Sequence, residues 1–316
     1  MNFRFLLLVL YSVGPADAAG LPPTGPGKVE HTVRRNFESR PGRIIALEVW
    51  RPAERAGGPF PLLLFSPGFG NKPSQYLSQL EDLASHGYVV AGLEHSADAL
   101  DSFEPRAALW AQDILAAKQE VLRSPFREIV DGRRIGAFGH SLGGRAAAGA
   151  CLLDSTILAC LNQDGGNDDV QLKRPYWPMD GRDFAGAFAM LDWFDPGIDD
   201  EDLRTMGKTR EQYAASRLEP SPAALNAYRV ARSGALRITI LTPGMRHTAF
   251  TDDLWSSASS DTRRARYADY LRQVRVITRR FFELALSGNI QNSVCGTAVK
   301  DTYTQCFKPT DRLTPR

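Results

Sequence analysis

Gly139-His140-Ser141-Leu142-Gly143 reads G-x-S-x-G, and what stands on either side of it decides how it folds. A short apolar run, Arg134 to Phe138, leads in. A run of small residues with helical character, Gly144 to Ala150, leads out. Strand, sharp turn and helix in that order make a nucleophile elbow, in which a strained serine is lifted clear of a sheet. The strand and helix backbones nearly touch two residues either side of the serine, so only small residues fit there. Both positions are glycine. Ser141 is the candidate nucleophile.

Where a serine of this kind is used, its histidine follows it in the chain. The histidines are His31, His86, His95, His140 and His247, and only His247 lies beyond Ser141. Its setting suits a base. Ala235 to Thr242 is rich in β-branched residues and reads as a strand. Pro243-Gly244 breaks it, and His247 follows in a loop. The third part needed is a pair of backbone N–H donors for an oxyanion. Pro61 to Phe65 is a continuous apolar run, as in a buried parallel strand. Ser66-Pro67-Gly68-Phe69-Gly70 comes next, with glycines that let the Phe69 backbone turn. Phe69 and Leu142 are the expected donors, and the aromatics Phe69, Trp193 and Phe250 fit either walls of the pocket or core.

Working outward, strands are predicted at Val29–Phe37, Arg43–Trp50, Leu62–Phe65, Tyr88–Leu93, Arg134–Phe138, Ile157–Leu161, Phe184–Leu191 and Ala235–Thr242. Helices are predicted at Ser74–Ser85, Ala107–Leu122 and Asp261–Leu286. The alternation implies an α/β fold: a mostly parallel eight-stranded sheet with helices on both faces. Ser141, Phe69 and His247 all fall at carboxyl ends of strands, where sites in such sheets lie. Glu94 and His95 fall at another such end, suited either to support of the site or to plain structure. An insertion, 195–233, is polar, with helical character from Glu201 to Arg217. It fits either a partial cap or an inert surface elaboration.

The chain has 316 residues, 43% hydrophobic, enough for one sizeable core, and a formal charge of +2 with both signs spread throughout. That argues against nucleic acid as a partner. Residues 1–18 have the form of a secretory signal peptide: Arg4, an apolar run from Phe5 to Val13, and Ala16-Asp17-Ala18 for cleavage. The apolar run is too short to span a bilayer, so a secreted protein without a stable membrane anchor is expected, extracellular or periplasmic. Residues 19–316 would form one domain. The four cysteines, Cys151, Cys160, Cys295 and Cys306, suit an oxidising compartment. Of three possible pairings the local one is expected, Cys151–Cys160 with Cys295–Cys306, the second stapling the tail, 288–316. No spacing resembles a metal site, and the chemistry implied needs no cofactor.

Several segments together resemble the platelet-activating-factor acetylhydrolase family of α/β-hydrolases. The family's F-S-H-G-x-G loop corresponds to Phe65 to Gly70. Its L-A-S-H-G-(F/Y)-x-V corresponds to Leu83 to Val90, its V-E-H to Leu93-Glu94-His95, its G-H-S-x-G-G to Gly139 to Gly144, and its H-x-x-F to His247 to Phe250. The resemblance implies the α/β-hydrolase fold and a Ser-His-Asp esterase of small to medium acyl groups, acting on small-molecule or lipid esters. Asp164 matches the distance of the family's acid from its serine. Pro67 departs from the family histidine, and S-P-G-(F/Y) also resembles secreted cutinase-like polyester hydrolases. Those place their acid after the seventh strand, where Asp192 and Asp195 stand here. The acid therefore stays open among Asp164, Asp195 and Asp192. A binding protein on a hydrolase scaffold is the alternative outside catalysis.

Overall fold

Every residue of β3 (Phe60–Ser66) is buried, as a strand covered on both faces must be. Its side chains alternate between two cores. Leu62 and Leu64 join one, Leu63 and Phe65 the other. In the computed structural model, which describes residues 20–97, 103–165, 186–219, 235–287 and 302–307, this strand lies inside a nine-stranded sheet.

The other strands are β1 (Val29–Arg40), β2 (Arg43–Pro52), β4 (Val89–Glu94), β5 (Val130–His140), β6 (Ile157–Gln163), β7 (Ala187–Phe194), β8 (Ala235–Leu241) and β9 (Thr302–Phe307). Their order is β1-β2-β4-β3-β5-β6-β7-β8-β9. From β4 to β8 all neighbours are parallel. The pairs β1–β2, β2–β4 and β8–β9 are antiparallel. On one face α1 (Leu77–Ser85) and the last long helix, Asp261–Leu286, bring Leu80, Leu83, Ile277 and Phe282 onto Leu63 and Phe65. On the other, α2 (Phe103–Arg123) and α3 (Leu142–Leu153) bring Trp110, Ile114, Val121 and Ala147 onto Leu62 and Leu64. The mostly parallel α/β-hydrolase sheet read from the sequence is the observed one. The arm before β1 is tied along α1: the Leu21 N–H donates to Ser78 Oγ at 2.6 Å, and Thr24 Oγ1 donates to Asp82 Oδ1 at 2.7 Å.

Three details differ from the sequence reading. The sheet has a ninth strand, β9, because a short polar segment pairs by its backbone with β8 and needs little apolar signal to do so. The strand predicted at Phe184–Leu191 runs instead over Ala187–Phe194. Its charge at Asp192, which reads as a strand end, is neutralised across the sheet by Arg237 of β8 at 2.8 Å. Among the described residues the insertion holds two helices where one was expected, α4 (Asp200–Thr205) and α5 (Arg210–Leu218). Gly207, at φ +65°, ends the first, and Thr209 with Gln212 forms a capping box that starts the second. Of the aromatics that fit either pocket walls or core, Trp193 and Phe250 are buried. The helix at Asp261–Leu286, α6, matches its prediction. Cys151 and Cys160 form a disulfide joining α3 to β6. Residues 1–19, the part of the insertion from 220 to 234 and Cys295 lie outside the described residues. The expected leader and the Cys295–Cys306 bridge therefore fall there as well.

Candidate active site

Ser141 sits between β5 and α3 with φ 55° and ψ −125°. Among the described residues only it and Asp164 (φ 47°) are non-glycine residues with positive φ. The elbow leaves no room for side chains around it. A Cβ on Gly139 would lie 2.4 Å from the Ser66 carbonyl oxygen, and one on Gly143 would lie 2.1 Å from the same atom. The Ser141 N–H donates to the Gln163 carbonyl at 2.8 Å, which fixes the elbow to the end of β6.

Asp164 follows β6 directly, and its N–H donates to the Leu191 carbonyl of β7 at 2.8 Å. Its carboxylate is enclosed. Oδ2 accepts from Trp193 Nε1 at 2.6 Å and lies 2.5 Å from His247 Nδ1. Oδ1 lies 3.6 Å from an Arg217 nitrogen. Burial alone would push this carboxyl up. The His247 hydrogen bond and charge, with the Arg217 guanidinium, outweigh it and hold the group below the usual carboxylate range. His247 opens a 3₁₀ turn, His247–Phe250, that is anchored by buried Ala249 and Phe250. The histidine itself is half-exposed.

Asp192 and Asp195 have other partners. Asp192 accepts from buried Arg237. Asp195 Oδ1 accepts from the Gly197 N–H at 2.8 Å, a turn cap.

The loop after β3 turns at Gly68–Asn71, with the Asn71 N–H donating to the Gly68 carbonyl and Gly70 at φ +77°. Tyr76 holds it from beneath. The Tyr76 hydroxyl accepts from the Gly68 N–H and from Asn71 Nδ2, both at 3.0 Å. Its own proton is then left for His140 Nδ1 at 2.9 Å. Burial, then the nearby His247 charge, pushes His140 down to about 3, so it is a neutral acceptor there. Leu142 opens α3, and a first-turn N–H has no acceptor four residues back. Phe69 and Leu142 line one cleft of about 480 Å³ together with Ser141, Asp164 and His247.

A family model described as PETase, PET hydrolase-like, matches residues 11–171, just over half of the chain. The chain belongs to the PET hydrolase-like family. Membership makes it a carboxylic-ester hydrolase in class. Among solved structures, the ferulic acid esterase from Streptomyces cinnamoneus is similar, with a TM-score of 0.65 and 18% identity over 90% of this chain and 98% of that one. That identity speaks for the shared fold. No curated protein sequence matches significantly.

In this PET hydrolase-like chain Phe69 is the one of the three aromatics that lines the cleft. It is 55% exposed, with the Arg106 guanidinium 4.6 Å above its ring. Trp193 instead donates to Asp164, and Phe250 stacks on His140 at 5.2 Å. Arg145, Thr248 and Asp253 also line the cleft, and no sequence motif marks them. Arg217 of the insertion stacks over Trp193 at 4.2 Å, so this element reaches Asp164 as well. The ligating atoms of His140, Asp164 and His247 lie within 4.8 Å of one another, a spacing that suits a metal ion. Two of these groups already share a hydrogen bond, and His140 Nδ1 accepts from Tyr76. Among described residues no helix is long and apolar enough to cross a membrane.

Proposed function

We propose that this esterase is a secreted serine hydrolase with Ser141 as nucleophile, His247 as general base and Asp164 as its acid. The observation that carries the reading is the 2.5 Å hydrogen bond between His247 Nδ1 and Asp164, beside Ser141 in one cleft. An ionised carboxylate only accepts, so Nδ1 carries the imidazole proton. Nε2 is then free to take the Ser141 proton as Oγ attacks the ester carbonyl. The tetrahedral oxyanion is bound by the Phe69 and Leu142 N–H groups. His247 returns the proton to the leaving alcohol, and Asp164 stabilises the charged imidazolium in between. Water hydrolyses the acyl-enzyme by the same steps. The leader-like residues 1–18 and the Cys151–Cys160 disulfide support an oxidising destination.

For substrate, the acid after β6 and the motifs around the loop and elbow favour small to medium acyl esters, as in platelet-activating-factor acetylhydrolases. A second reading, polyester hydrolysis, is favoured by the family match. Hydrolysis of p-nitrophenyl esters from acetate to palmitate, and of an amorphous aromatic polyester film, tests both. We expect turnover of short esters that disappears in Ser141→Ala. Film hydrolysis at a comparable rate would select the second reading. No turnover of any ester by folded protein would overturn both and favour a binding scaffold.

A further inference from the structure

Beneath the loop that follows β3 lies a second Ser-His-Asp array, which no part of the proposed mechanism uses. Ser66 Oγ is 2.8 Å from His95 Nε2, and His95 Nδ1 is 2.9 Å from Asp113 Oδ2. Arg43 forks onto Asp113, with Nε 2.9 Å from Oδ1 and a terminal nitrogen 2.7 Å from Oδ2. Ser39 Oγ donates to Oδ1 at 2.9 Å. The His95 ring lies flat on Trp110, with centroids 4.0 Å apart and planes 5° apart. Residues from β1, β2, α2 and the end of β4 thus converge on the last residue of β3.

This array is not a second nucleophile site. Ser66 and Asp113 have no exposed surface, and the His95 side chain is 1% exposed, so no substrate reaches them. Stability alone is a poor account of it as well. Burying ions costs most of what their attraction returns, and apolar replacements of equal volume are commonly as stable. What the array does fix is one atom's position. Asp113 only accepts, so His95 Nδ1 carries a proton toward it, and Nε2 shares a hydrogen bond with the Ser66 hydroxyl. The Ser66 carbonyl, on the same residue, is the atom against which Gly139 and Gly143 are packed. Ser66 therefore touches the elbow on both sides of the nucleophile and also begins the loop that carries Phe69.

We propose that His95, oriented by Asp113, is a positioning residue that acts through the Ser66 hydroxyl to set the oxyanion loop against the elbow. The inference rests on the role proposed above for the Phe69 N–H.

The test uses the full chain and p-nitrophenyl butyrate, with Ser66→Ala, His95→Gln and His95→Asn. A misplaced oxyanion donor harms the transition state and spares ground-state binding. Ser66→Ala should lower kcat by about 10- to 100-fold with KM within about twofold. It should weaken phenylboronic acid, which forms a tetrahedral adduct, by a similar ratio. A Gln amide reaches where Nε2 sits and an Asn amide where Nδ1 sits. His95→Gln should therefore keep more kcat than His95→Asn. Wild-type kcat in folded Ser66→Ala overturns the proposal. So does equal kcat in the two His95 variants, or loss of folding in all three, which would make the array structural. Ser141→Ala tests the parent reading separately. Activity surviving there removes the catalytic elbow whatever Ser66 does.

Discussion

Asp164 takes a left-handed backbone at φ 47°, which Asp and Asn tolerate better than most residues. That makes a clean experiment possible. Asp164→Asn should fold normally and lose about 10⁴-fold in kcat, because an amide cannot hold the imidazole in its working tautomer. Asp195→Asn should stay within a few-fold of wild type. Steady-state kinetics on a soluble ester checks both, and the reverse order would move the acid to the end of β7. Asp252 carries a different consequence. It lies just past His247–Phe250, is 2% exposed, and accepts from the Ser78 N–H at 3.0 Å. Burial pushes its carboxyl up to about 7. The folded state therefore holds a proton that the unfolded chain has released, and stability falls as pH rises between about 4 and 7. A shift of that size is worth at most ~4 kcal/mol. Asp252→Asn should be more stable than wild type at pH 8 and similar at pH 4, as read by urea unfolding. At this scale the sequence was uneven. Ser141 and His247 were legible because the elbow and the chain order of histidines are local facts. Trp193 and Tyr76 were not, since their partners stand 29 and 64 residues away and no local pattern joins them.

At the scale of elements, strongly patterned segments read well and compensated ones did not. α6 shows apolar residues at helical spacing along 26 residues and is found where predicted. β7 was shifted because its charge is neutralised by a partner on β8, which a single strand cannot reveal. The break between α4 and α5 was written in Gly207 and Thr209-x-x-Gln212, a stop followed by a start. The disulfide between α3 and β6 closes a short loop, with a sequence separation of 9. Constraining the unfolded chain over such a loop contributes about 2–3 kcal/mol. The double variant Cys151→Ala, Cys160→Ala should lose about that much in denaturant unfolding at unchanged kcat. An unchanged midpoint would mean that the bridge adds nothing to the fold.

Across the whole molecule, the sheet brings the ends of β3, β5, β6 and β8 to one edge, and the site is what their loops have in common. The alternation of strands and helices was enough to foresee this. β9 was not foreseen, because an edge strand is held by backbone pairing more than by side-chain pattern. It covers the outer edge of β8, the strand that leads toward His247. A chain ending at residue 301 would expose that edge, and size-exclusion chromatography should show it associating. A monodisperse, active product would show that β8 needs no cover. The proposed chemistry as a whole stands on one serine. Mass spectrometry of peptides after treatment with a fluorophosphonate tests it directly. A single adduct on Ser141, absent when Ser141 is alanine, is the predicted result. Folded, untreated-like protein with no adduct, or an adduct on another residue, would contradict it.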